Sequence, residues 1–113
     1  MARHIVRFNC PYVPQQLFDI FMDYWQKEGF APHVENNEQC MKKGSGVVSA
    51  PQFVKITFLN GVYTIEAWIK FAVVPGVYAG EMDLNGFMGA VPKKKLLQRI
   101  YFFLNLVNAQ ILP

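Results

Sequence analysis

The stretch Phe53–Trp68, FVKITFLNGVYTIEAW, decides the fold. Asn60-Gly61 between two alternating apolar runs is the strongest short-range signal for a hairpin with a two-residue type I′ loop, because both loop residues need positive φ. A loop of that length sets the register. Leu59 then faces Val62, Phe58 Tyr63, Thr57 Thr64, Ile56 Ile65, Lys55 Glu66, Val54 Ala67 and Phe53 Trp68. Side chains alternate along a strand, so these pairs sort by face. Val54, Ile56, Phe58, Tyr63, Ile65 and Ala67 share one side; Phe53, Lys55, Thr57, Leu59, Val62, Thr64, Glu66 and Trp68 share the other. The second side pairs aromatic with aromatic, threonine with threonine and lysine with glutamate, each worth about 0.2–1 kcal/mol.

Working outward, Arg3–Phe8 alternates and reads as a strand, ended by Cys10-Pro11 and Pro14. Pro14 suits a first helical turn and Gly29 a C′ position. Between them Leu17, Phe18, Phe21, Met22, Tyr24 and Trp25 make an apolar face opposite a polar stripe, with Asp23 and Lys27 an i,i+4 pair. A short strand is expected over Glu38–Lys43, stopped by Gly44-Ser45-Gly46. Pro75-Gly76 turns the chain into a further strand over Val77–Leu84, with a bulge at Gly80. Pro92 opens a last helix whose apolar face holds Leu96, Leu97, Ile100, Tyr101, Phe103, Leu104 and Val107. The predicted order is β-α-β-β-β-β-α over one domain, residues 1–113. A single antiparallel sheet with both helices on one face satisfies every amphipathic pattern. This order is similar in topology to TATA-binding-protein-like and helix-grip architectures, an analogy that carries no function.

Composition agrees with a folded domain: 52% of the residues are hydrophobic and 15% aromatic, well outside the disordered range. The net charge of +3 is spread along the chain and offers weak support for an anionic partner. Cys10 and Cys40 are too few for a disulfide framework or a zinc finger, and no apolar run is long enough to span a bilayer. A cytoplasmic, reducing location without membrane attachment is expected.

Gly80–Lys95, GEMDLNGFMGAVPKKK, resembles the C-terminal signature of a group of small uncharacterised domains in Firmicutes, read as GEM, GF-x-G and P-K-K before a helix. Glu66-Ala67-Trp68 is similar to that group as well. The resemblance covers the second half of the chain and implies a fold without a known activity. Longer relatives carry a zinc ribbon, but this chain lacks the four cysteines one needs, so no metal or other cofactor is expected.

Three places can carry binding. Lys93, Lys94 and Lys95 follow Pro92 at a helix start, where free N–H groups with lysines suit an anion; the plain alternative is a solvated basic turn. The spacing is not a phosphate-binding P-loop. The sheet face away from the helices would expose Phe53, Trp68, Ile5 and Val62 as anchors for a second copy or a protein partner. With Arg3, Arg7, Lys55 and Lys70 interleaved, that face also suits nucleic acid. Under the helices, Phe18, Met22, Trp25, Phe58 and Tyr63 would line a ligand cavity or fill a core. His4, His33, Cys10 and Cys40 are scattered without metal-site spacing, and no nucleophile–base pair is visible, so a non-enzymatic interaction domain is expected.

Overall fold

The computed structural model describes residues 3–44, 50–74, 77–82, 84 and 90–113, with the side chains of 3–44, 50–70, 84 and 93–113. The elements are β1 (His4–Asn9), α1 (Pro14–Lys27), β2 (Ala31–Glu35), β3 (Glu38–Lys43), β4 (Gln52–Leu59), β5 (Val62–Val74), β6 (Val77–Met82), α2 (Ala90–Leu106) and β7 (Gln110–Ile111). This is an α+β fold on one antiparallel sheet. Strands run β2-β3-β4-β5-β1-β7, and β6 pairs with the C-terminal half of β5.

The β4–β5 register is the one expected from Asn60-Gly61, pair for pair from Leu59↔Val62 to Phe53↔Trp68. Both loop residues have positive φ, 52° and 79°. The bulge also falls where expected. Lys70 pairs with Glu81 and Phe71 with Ala79, which leaves Gly80 as the extra residue. The Pro75-Gly76 turn and the GF-x-G part of the signature lie outside the described residues.

Two strands, β2 and β7, add to the predicted order. β2 forms a second hairpin with β3 around Asn36-Asn37, with φ of 51° and 63°. Asparagine tolerates that region better than other non-glycine residues, so the pair takes the place of Asn-Gly. β7 arises because α2 ends on Asn108 with φ of 54°. The Ala109 N–H bonds Leu104 O and the Asn108 N–H bonds Asn105 O, a Schellman closure that reverses the chain onto β1.

α1 closes in the same way with Gly29 at φ +92°. Phe30 N–H donates to Trp25 O, and the two rings pack edge to face at 4.9 Å. Lys43 Nζ then donates to Glu28 O at 2.8 Å, a cation at a helix C-terminus where the dipole favours one.

Both helices lie on one sheet face. Leu17, Phe21 and Trp25 of α1 and Leu96, Ile100, Phe103, Leu104 and Val107 enclose a core with Val6, Phe8, Val54, Tyr63, Ile65, Ala67 and Ile69. α2 begins at Ala90, two residues before Pro92. Its early turns correct one expectation: Lys93 is only 4% exposed and is not part of a solvated basic turn. It shares the helical stripe of Leu96, Leu97 and Ile100, which faces the core. Lys94 and Lys95 are exposed.

Candidate functional site

The two faces of the sheet reverse the expectation of which is open. On the face away from the helices, Phe53 and Trp68 are each 1% exposed. Their rings stack at 5.3 Å and 8°, beside the buried Cys40. The Arg3 guanidinium lies 3.6 Å from the Trp68 ring, and Lys42 and Lys70 lie over Phe53 at 5.8 and 5.4 Å. The expected role of Phe53 and Trp68 as exposed anchors is therefore corrected; the protein's own cations cover them.

Arg3 and Lys70, with the neighbouring Lys55, are tied to carboxylates. Arg3 grips Glu38 with two parallel hydrogen bonds of 2.8 Å and reaches Glu66 at 3.3 Å. Lys55 bonds Glu38 at 2.6 Å and approaches Glu66 at 3.9 Å. Lys70 pairs with Glu35, which also meets His33 at 3.4 Å. The hydrogen bonds from Arg3 hold the Glu38 carboxyl down at about 2; burial opposes this and Lys55 adds to it. For Glu35, burial pushes upward, but hydrogen bonds from Lys70 and His33 outweigh it and the net shift is downward. Among the described strand residues, the large apolar side chains still accessible on this face are Ile5, opposite Glu66, and at the hairpin tip the half-buried Val62 and Leu59, which is 73% exposed.

The helix side is open at its outer edge. α1 and α2 pack over a core that includes Ile65 of β5, Val6 of β1, Val54 of β4 and Met41 of β3, while Val34 of the outermost strand β2 stays exposed. A cleft of about 550 Å³ lies between α1 and these outer strands. Phe18, Phe21 and Met22 of α1 form one wall, and Met41, Val54 and Ile56 form the floor. Pro32, Val34 and Gln39 form the outer rim, all on the core-facing parity of β2 and β3. Val34 is 61% exposed although it stands on the apolar side of the sheet.

His33, Cys40 and Lys55 border the cleft, but their side chains alternate to the other face. There His33 lies 6.1 Å from Phe53 and Lys55 bonds Glu38. Burial, with Glu35 and Glu38 nearby, pushes the Cys40 thiol up to about 11, so it stays protonated. Of the residues expected to line a cavity, Phe18 and Met22 do. Trp25 is buried against Phe21, Tyr24 and Phe30, while Phe58 and Tyr63 pack together near Phe18. Reading the sequence missed Pro32 and Val34 because it did not assign β2, and Gln39 and Met41 because, without β2, nothing placed the expected Glu38–Lys43 strand beside α1.

Among the described residues no group of three or more His, Cys, Asp or Glu side chains could hold a metal ion, and no helix is long and apolar enough to cross a membrane. Comparison with protein-family models, curated proteins and solved structures finds no match to this chain.

Proposed function

We propose that this is a non-enzymatic binding domain whose guest is a small, largely apolar molecule held in the cleft between α1 and β2–β4. The observation that carries the reading is the apolar cleft itself: the partly exposed Phe18 and Met22 of α1 face the exposed rim of Pro32 and Val34 across a base of buried Met41 and Val54 and half-buried Ile56. Its volume of about 550 Å³ falls within the range of about 300–1,000 Å³ typical of small-molecule sites. Gln39 is the polar side chain on the cleft's own parity, and it suits a guest with one hydrogen-bonding group. The neutral Cys40 thiol and the paired Lys55 supply no activated nucleophile, which favours binding over chemistry.

Self-association through the opposite face has less support, since Phe53 and Trp68 are covered and the large apolar side chains accessible on the described strands there, Ile5, Val62 and Leu59, are scattered. Nucleic-acid binding there is weakened likewise, because Arg3, Lys55 and Lys70 already face carboxylates. The test is titration with an uncharged solvatochromic dye. Binding is expected to fall at least tenfold in Met22→Trp, which fills the cleft from an exposed position, with the circular dichroism spectrum unchanged. Equal dye binding by Met22→Trp, or loss of binding in Leu59→Ser instead, overturns the reading.

A further inference from the structure

A second cleft, of about 420 Å³, opens between α1 and α2 and is lined by Tyr24, Glu28, Lys95, Gln98, Arg99 and Phe102. Arg99 is held in a defined pose. Its Nε donates to Glu28 Oε1 at 3.0 Å, its guanidinium lies 5.9 Å from the Phe30 ring, and its backbone oxygen accepts from Tyr24 Oη at 2.8 Å. Glu28 engages only the Nε edge, so the two Nη nitrogens take no partner among the described residues. That outer edge is the fork that binds phosphate with two parallel hydrogen bonds. Lys95 stands one turn earlier on the same side of α2 and is exposed. Lys43, bonded to Glu28 O, also lies 5.9 Å from the Phe30 ring.

Three cations, Lys43, Lys95 and Arg99, therefore gather around Glu28, whose carboxylate bonds Arg99 while its backbone oxygen accepts from Lys43. Burial lowers the pKa of the Lys43 ammonium first, and repulsion from Arg99 and Lys95 lowers it further against the pull of Glu28. Among the described residues the cluster is short of negative charge. Beside it Phe102 is 64% exposed and stacks on Tyr24 at 6.1 Å and 16°, leaving a flat aromatic surface toward solvent.

We propose that this cleft binds a phosphate monoester carried on a flat ring: the phosphate on the Arg99 fork and Lys95, the ring against Phe102. The site is separate from the apolar cleft and moves the anion-binding role from Lys93–Lys95 as a run to Lys95 with Arg99. Burial removes Lys93 from it, and Lys94 is not among its lining residues.

Three probes test the proposal by NMR titration of the full chain: inorganic phosphate, a purine nucleoside monophosphate, and the same nucleoside without phosphate. The monophosphate is expected to bind most tightly and to shift the Arg99 side-chain Nε and the Phe102 ring. Phosphate alone should shift Arg99 only, and the nucleoside neither. Lys95→Gln should weaken the monophosphate about tenfold, as for removal of one charge-assisted hydrogen bond, and Lys94→Gln should leave it unchanged. Arg99→Lys keeps the charge without the fork and should weaken it at least as much as Lys95→Gln. Equal effects of Lys94→Gln and Lys95→Gln would show undirected surface attraction and overturn the site. So would tight binding of the bare nucleoside, or no shift at Arg99 with any probe.

Discussion

The two faces of the β4–β5 hairpin bury apolar side chains by different means. On the helix side, Val54, Ile65 and Ala67 are covered by Leu17, Phe21, Trp25 and the α2 stripe. On the other side no secondary-structure element among the described residues covers Phe53 and Trp68. A layer of Arg3 and Lys70, fixed by Glu35, Glu38 and Glu66, lies over them together with Lys42. Long cationic side chains carry enough hydrocarbon and guanidinium surface to exclude water from an aromatic pair. The face without helices is thus closed over its centre as fully as the helix face, which leaves its outer edge exposed at Val34 and Gln39. A helix count alone does not reveal which side of a sheet can take a guest.

The sharpest way to break this contrast is to remove the covered aromatic. Trp68→Ala is expected to destabilise the domain by about 3–5 kcal/mol, as for other fully buried tryptophans. It should also loosen Arg3, which rests on that ring. Chemical denaturation measures it. A loss under about 1 kcal/mol, combined with a change in oligomeric state, would restore the view of Trp68 as an exposed anchor.

The charged cover makes a pH prediction of smaller size. Glu38 titrates near 2 in the folded protein against its ordinary value of 4.5. A depressed carboxyl contributes stability that is full above the unfolded value. That contribution fades as pH falls from about 5 through 2. With Glu38 partly exposed, the stabilisation is on the order of 2 kcal/mol after solvent screening. Glu35, also shifted downward, adds in the same direction. Glu38→Gln should therefore be less stable than the parent at pH 7 and lose less on acidification. Thermal melts between pH 7 and pH 3 that run parallel for the two proteins would contradict it.

Legibility in the sequence followed locality. The Asn60-Gly61 loop, the Gly80 bulge and the Gly29 helix end are specified by residues within a few positions, and each falls where expected. β2 was illegible because APHVE carries a proline at its second position and lacks a clean alternation, and because its loop is Asn-Asn without glycine. β7 has two residues, too few for any period, although Asn108 before it was a usable helix-stop signal. The cover on Phe53 and Trp68 was hidden for a different reason. Arg3 meets Glu38 and Glu66 across separations of 35 and 63 residues, and no local pattern reports a pairing of that kind. The apolar cleft was missed with β2, which supplies its rim, and the anion cleft because Lys95 and Arg99 meet Glu28 only once α1 and α2 are packed.

The smallest effect tests the open side of the comparison. Val34 points along the apolar parity of β2 yet is mostly exposed, so Val34→Thr, similar in shape, should change stability by no more than about 0.5 kcal/mol. That near-neutrality holds for the free protein only. A guest that binds the folded state raises its apparent stability in proportion to the logarithm of ligand concentration over Kd. If Val34 forms the rim against which an apolar guest is buried, a threonine hydroxyl there weakens the guest and not the fold. Melts with and without the uncharged dye separate the two cases: the dye should raise the parent's Tm more than that of Val34→Thr, while the unliganded curves coincide. Equal dye-induced shifts would place the guest elsewhere. A large loss in the unliganded protein would show that Val34 is already buried in solution, with the helix side as closed as the other.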